Sequence, residues 1–354
     1  MLNGAVIGCG RMGAEPSCRL EGRIASGWLP VSHVEAMIHT GLVRPVALAD
    51  VDSERLTCAG RLFGIERVFE DYQVMLRDVK PDIVTIATRT PEKAGAMRAA
   101  MRAGVKGIYV EKPIANSIGV AVELLGEAVR QNVHVSYGVN RRFHTMFRQA
   151  RDVIASRELG DVREVLIEFG QSKLLWTHPH SVDLMIFLLG RVPLAVQAEL
   201  VSSSVVSVSS LKIDSDPVVA HAQFWFEGGA RGIILEGEGY NVRVNCERGS
   251  LAVQADGAAM DIRRPASKDS AYHLRHEICY PVATRGATVT ALHELAEAVM
   301  GNRQGCGISP DEILWGITML MGCVHSHMAG CIRRELAHIP LDLAVSGRFG
   351  TTVA

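Results

Sequence analysis

The tripeptide Glu111-Lys112-Pro113 closes the apolar run Gly107-Ile108-Tyr109-Val110. An amine at the end of a buried strand can hydrogen-bond to, or polarise, a reacting oxygen. Near the N-terminus, Gly4-Ala5-Val6-Ile7-Gly8-Cys9-Gly10-Arg11-Met12-Gly13 reads as a strand, a glycine turn and the opening of a helix. In such a turn Gly8 permits the tight bend and Gly10 lets the backbone approach a pyrophosphate, while amides at the helix start supply donors to an anion. Gly8, Gly10, Arg11, Met12 and Gly13 are therefore the expected cofactor contacts of this turn. A dinucleotide turn followed several strands later by Lys112 places a cofactor and a catalytic group face to face, which implies redox chemistry.

An acidic ribose partner is expected about 20 residues beyond the glycines. The second apolar run ends at Asp50, about seventeen residues later than that. The excess matches Ala14–Pro30, which contains Glu15, Arg19 and Trp28. Removing it would place the helix Ser32–His39 directly after the glycines. The segment therefore reads as an insertion at the carboxyl edge of the sheet, either a lid that touches substrate or a surface and oligomer-contact loop. Asp50 can accept both ribose hydroxyls, and its charge repels a 2′-phosphate, so NAD is expected over NADP. Arg55 either softens that preference or is a solvated helix charge.

The elements that must hold these groups follow from periodicity. Apolar runs at Ala5–Gly8, Val46–Asp50, Arg67–Phe69, Ile83–Ala87, Gly107–Val110 and His134–Tyr137 alternate with helical patterns at Ser53–Phe63, Pro91–Ala103 and Ile118–Arg130. Continuous rather than alternating hydrophobicity predicts parallel strands buried on both faces. The pattern changes near Asn140. After a helix at His144–Ser156 come Val162–Phe169, a helix at His180–Leu189, and a series of strands to about Arg264 with short glycine turns. Two helices, Thr288–Met300 and Pro310–Arg334, close the pattern. The fold class is thus α/β: a Rossmann dinucleotide-binding domain over residues 1–140, then an α+β domain over 141–354 with a large, mostly antiparallel open sheet. Tyr137, Asn140 and Arg141 lie at a strand end suited to substrate or cofactor, and Arg89 follows another strand end, where it suits a phosphate or carboxylate.

Composition narrows the classes. The 354 residues carry a formal net charge of −1, which gives no electrostatic case for nucleic acid or a membrane surface. No apolar stretch reaches the ~18–20 residues of a membrane span. The start of the chain leads directly into the first strand, so no signal peptide is expected. The eight cysteines are scattered without a Cys-x-x-Cys pair, which suits reduced thiols in a cytoplasmic protein. His273, His276, His325 and His327 are dispersed without clustered carboxylates, and no metal site is expected.

With these motifs and His180-Ser181-Val182-Asp183-Leu184 in view, the chain resembles the glucose–fructose oxidoreductase/inositol dehydrogenase (Gfo/Idh/MocA) family over essentially its whole length. Ala87-Thr88, Asn140-Arg141-Arg142-Phe143, Leu159-Gly160-Asp161-Val162, Glu247-Arg248-Gly249 and Ile339-Pro340 add to the match. The resemblance implies that Lys112 lies beside the nicotinamide and the reacting hydroxyl, and that His180 is the acid/base. It places Thr88 and Glu111 at the cofactor. It further implies a sugar or cyclitol substrate and a homodimer or homotetramer formed through the open sheet. Histidine suits the assigned role because it titrates near neutrality. Many relatives carry an aspartate four residues before that histidine, where this chain has Trp176. Its apolar face suits stacking on a sugar ring. His178 is a candidate replacement for the lost polar group, and Asp183 either orients His180 or is a helix N-terminal charge. The expected activity is NAD-linked oxidation of a secondary alcohol. The rivals are a dinucleotide-binding sensor without turnover, suggested by Trp176, and imine reduction or oxidation-triggered elimination on the same scaffold.

Overall fold

The structure, a computed structural model, describes residues 1–25, 27–201, 211–237, 239–267, 274–282 and 285–345. In chain order the first elements are β1 (Leu2–Ile7), α1 (His33–Thr40), β2 (Val43–Ala49), α2 (Ser53–Phe63), β3 (Val68–Phe69) and α3 (Tyr72–Val79). Then come β4 (Ile83–Ile86), α4 (Thr90–Arg102), β5 (Gly107–Val110), α5 (Ile118–Arg130), β6 (His134–Tyr137) and α6 (Thr145–Ala155). The middle of the chain forms β7 (Val162–Glu168), β8 (Ser172–Lys173), α7 (His178–Leu189), β9 (Pro193–Val201), β10 (Lys212–Ile213) and β11 (Val218–Phe226). It continues through β12 (Arg231–Leu235), β13 (Asn241–Cys246), β14 (Ser250–Gln254), β15 (Ala259–Pro265) and β16 (Leu274–Cys279). The last elements are α8 (Ala287–Val299), α9 (Pro310–Met328), β17 (Arg334–Glu335) and β18 (Ala344–Val345). His273 lies outside the described residues.

The chain divides into two compact units. One comprises Met1–Phe143 together with Arg285–Ile313; the other begins at His144 and takes up the chain again at Leu314. The sequence reading gave everything after Asn140 to the second domain, whereas here α8 and the start of α9 belong with the first unit. Leu292, Leu295 and Ala296 of α8 share a core with Val34 and Met37 of α1.

The first unit holds a six-stranded sheet of order β3-β2-β1-β4-β5-β6. Every pairing is parallel. β4 and β5 are buried at every position, the physical reason their sequences are continuously apolar. Side chains of Ser32, Asp52, Asp71 and Ser117 accept hydrogen bonds from free amides at the starts of α1, α2, α3 and α5. The strand order reverses between β1 and β4, and there the glycine turn sits.

The second unit is built on a ten-stranded sheet running β16-β15-β14-β13-β7-β12-β11-β9-β17, with β8 paired to β11. Among these pairings only β12–β7 is parallel. β9 and β11 alternate between buried and more exposed positions, as expected of a sheet covered on one face. The last long helix ends at Met328, earlier than the expected Arg334, because Gly330 takes a left-handed conformation (φ 87°) and the chain turns into β17.

Candidate active site

The first unit gathers the residues expected at a dinucleotide along the carboxyl edge of its sheet. Gly8 has φ 94°, and a Cβ there would lie 2.9 Å from the Ala87 carbonyl carbon at the end of β4. A Cβ on Gly13 would meet the Gly8 carbonyl oxygen at 1.7 Å. Side chains are thus sterically barred at both positions. Gly10, by contrast, has open space beside it, the clearance a pyrophosphate needs. Beside the turn, the hydroxyl oxygen of Thr88 is buried with no hydrogen-bond partner among the described residues. These features fit a dinucleotide: Gly10 and Thr88 leave a space and a polar group that the protein itself does not use. Arg11 is exposed on the turn, Met12 is half-buried, and Arg89 is exposed as the N-cap of α4.

The insertion is spliced into the helix start. His33 N donates to the Met12 carbonyl (2.7 Å) and Val34 N to that of Gly13 (3.0 Å), so α1 resumes the helix that the glycine turn opens. Ser17 closes the base of the loop. Its hydroxyl accepts from Val31 N (2.9 Å) and Ser32 N (3.1 Å) and donates to Glu35. Glu35 also accepts from the Ser32 hydroxyl at 2.7 Å. Arg19 ties the loop back to the Arg11 carbonyl at 2.8 Å. The Arg141 guanidinium lies over the Trp28 ring, 5.5 Å from its centroid, so the loop's return leg meets the chain just beyond β6.

Asp50 stands at the end of β2. One carboxylate oxygen accepts from Cys9 N (2.6 Å), the other from Asp52 N (2.9 Å), and Arg55 approaches to 3.6 Å. A carboxylate has about four acceptor positions, so capacity for ribose hydroxyls remains. Arg55 is also paired with Asp52 at 3.3 Å, so it is more than a solvated helix charge.

Lys112 is half-buried after β5, and its peptide bond to Pro113 is cis. Beneath it lies a buried polar group that the sequence reading did not single out. The Lys93 ammonium on α4 donates to the carbonyls of Lys112 (2.8 Å) and Pro113 (2.9 Å). Burial lowers its pKa to about 7, with Glu111 opposing the shift and Lys112 adding to it. Glu111 is buried against His33, 3.3 Å from its Nε2. Burial pushes the Glu111 carboxyl up, but the His33 hydrogen bond and the nearby cations outweigh this and hold it below its ordinary value. The signal for Lys93 was present: it shares a helix stripe with buried Ala96, Met97 and Ala100. Tyr137 is buried at the end of β6. Asn140, expected at substrate, has its amide engaged within the unit. It accepts from the Tyr109 hydroxyl (2.7 Å) and donates to Thr288 (3.2 Å). Arg142 is structural, held by the Gly307 carbonyl and by Glu312.

In the second unit α7 carries His180, half-buried in its first turn, with Asp183 buried one turn on. Trp176 is 42% exposed, and its backbone is fixed by a residue the sequence reading missed. Asp216 accepts from Leu175 N (2.8 Å) and Trp176 N (3.1 Å), one amide on each carboxylate oxygen. His178, expected at substrate, is instead fully buried with Nδ1 3.0 Å from the Ser181 hydroxyl, and burial pushes its pKa down to about 4. Among the described residues no three His, Cys, Asp or Glu side chains are grouped to hold a metal, and no helix is long and apolar enough to cross a membrane.

A glycine turn at the switch point of a 3-2-1-4-5-6 parallel sheet defines a dinucleotide-binding unit. Residues 2–139 match the Gfo/Idh/MocA family model, described as an oxidoreductase family with an NAD-binding Rossmann fold. A D-apiose dehydrogenase of Paraburkholderia graminis is 35% identical over 120 residues, 34% of this chain and 32% of that protein. The similarity thus spans about a third of that relative's length. An oxidoreductase from Agrobacterium radiobacter, solved with NAD+, L-tartaric acid and magnesium, superposes with a TM-score of 0.73 at 16% identity, covering 95% of this chain and 98% of its own. A levoglucosan dehydrogenase, solved with NADH and levoglucosan, gives 0.74 at 17% identity, covering 95% and 99%. At such identities these structures share the fold.

Proposed function

We propose that the protein is an NAD-linked dehydrogenase acting on a secondary alcohol of a sugar, sugar derivative or cyclitol. The observation that carries this reading is the place of Lys112. It ends a strand two positions from the glycine turn in the same parallel sheet, about 10 Å across the strands at the usual spacing. The glycine turn, Thr88 and Asp50 would hold the dinucleotide, whose nicotinamide accepts a hydride when bound. Lys112 is assigned to hydrogen-bond the reacting oxygen. His180, half-buried on the first turn of its helix, is assigned to take the hydroxyl proton. The exposed Trp176 ring is assigned to stack on the substrate ring, its backbone held by Asp216. Asp50 favours NAD, while Arg55 narrows the margin over NADP. The D-apiose dehydrogenase similar to the first part of the chain and the levoglucosan-bound dehydrogenase of like fold support the substrate class.

A second reading, a sensor that binds dinucleotide without turnover, draws on Trp176 standing where many relatives carry an ionisable aspartate. Incubation with NAD and a panel of sugars and cyclitols, followed by nicotinamide absorbance, decides between the two. Reduction of NAD supports the dehydrogenase; tight NADH binding with no reduction across the panel supports the sensor. Product analysis then separates simple oxidation from elimination.

A further inference from the structure

We propose that Lys93 is a positioning residue for Lys112, holding two successive carbonyls of the loop from below and so fixing where the Lys112 side chain emerges. The inference rests on the reading of Lys112 as the group beside the reacting oxygen. Lys93 is only 2% exposed and sits in the first turn of α4. A cation there opposes the helix dipole, and its burial is unfavourable. A methionine would extend the apolar stripe of Ala96, Met97 and Ala100 without either cost. What the lysine gains is specific: hydrogen bonds of 2.8 and 2.9 Å to the carbonyls of Lys112 and Pro113. Pro113 has no N–H, so hydrogen bonds to its own nitrogen cannot anchor the loop there.

The charged groups acting on Lys93 are Glu111, which attracts it, and Lys112, which repels it. His33 acts through its contact with Glu111. Lys93 titrates near neutrality, yet a neutral amine keeps two N–H donors for two carbonyls. The hold on the loop therefore persists across the titration, and only the charge beside Lys112 changes. Geometry and charge can be separated by substitution.

Wild type is compared with Lys93→Met, which lacks both donors and charge, and Lys93→Gln, which keeps two N–H donors without charge. Circular dichroism establishes folding. The primary readout needs no substrate: the rate at which acetic anhydride labels Lys112 at one fixed pH, by peptide mass spectrometry, with and without NADH. Protection of Lys112 by NADH should fall in Lys93→Met and be largely restored in Lys93→Gln. With a substrate from the panel, kcat should fall about 10–100-fold in Lys93→Met with KM changing less, the effect of a displaced group. Should Lys93→Met not fold, Lys93→Gln carries the test: NADH protection of Lys112 and kcat near wild-type values support the proposal, and loss of both in the folded variant overturns it. Protection of Lys112 indistinguishable from wild type in folded Lys93→Met would overturn the proposal. Failure of the underlying reading is distinct: Lys112 would be unprotected by NADH in wild type, or Lys112→Ala would turn over normally.

Discussion

His178 and His180 lie two residues apart at one helix start, yet the fold gives them opposite environments. His180 remains half-buried, while His178 is sealed in the core. We expect Lys112→Ala and His180→Ala each to lower turnover by about 10²–10⁴-fold. NADH affinity, read by fluorescence, should change less in His180→Ala than in Lys112→Ala. Near-normal turnover in His180→Ala would move the acid–base role to another group. His178 instead leaves its mark on stability. Its folded pKa of about 4 lies below the ordinary value near 6.5, so between these the unfolded chain binds the extra proton. Stability from this group is complete above about pH 6.5 and declines as pH falls toward 4, by about 3 kcal/mol in all. His178→Asn, which keeps a polar partner for Ser181, should flatten that decline. Urea midpoints at about pH 7 and pH 5 measure it; an equal decline in both proteins would contradict it.

At the scale of elements the inserted loop is the most individual feature. Its existence was legible from the late arrival of Asp50, and the bonds from His33 and Val34 to the glycine turn show why the helix tolerates it. Its closure through Ser17 and Glu35 and the meeting of Trp28 with Arg141 were not legible, since they join residues whose spacing has no period. Ser17→Ala removes a buried acceptor for two amides and should cost about 1–3 kcal/mol, measured by denaturation. Shortening the loop while keeping Ser17 should raise the Michaelis constant and leave NADH affinity largely intact. An unchanged Michaelis constant would favour the surface-contact role instead. Lys93 was hidden for a related reason: its helical stripe was visible, but the carbonyls it holds lie on another element.

For the whole molecule, the resemblance implies assembly through the open face of the large sheet. Leu166 of β7, Ile233 of β12 and Gln223 of β11 line up across neighbouring strands at half-buried positions. Its apolar members, Leu166 and Ile233, suit contact with a second copy. We expect light scattering to give a mass at least twice 38.4 kDa, and Ile233→Glu to reduce it. A monomeric wild type would refute this.

The sequence by itself determined what depends on local order. The glycine turn, the buried parallel strands, the caps and the lysine after β5 are written in residues a few positions apart, because backbone conformation and strand burial are set at that range. Only the tertiary structure decided which polar groups are used up inside. Asn140, with its free-looking amide, is engaged by Tyr109 and Thr288, while Lys93, unremarkable in a helix, holds the carbonyls of Lys112 and Pro113. It also returned Arg285–Ile313 to the first unit, since a helix's pattern shows that one face must be covered but not which core will cover it.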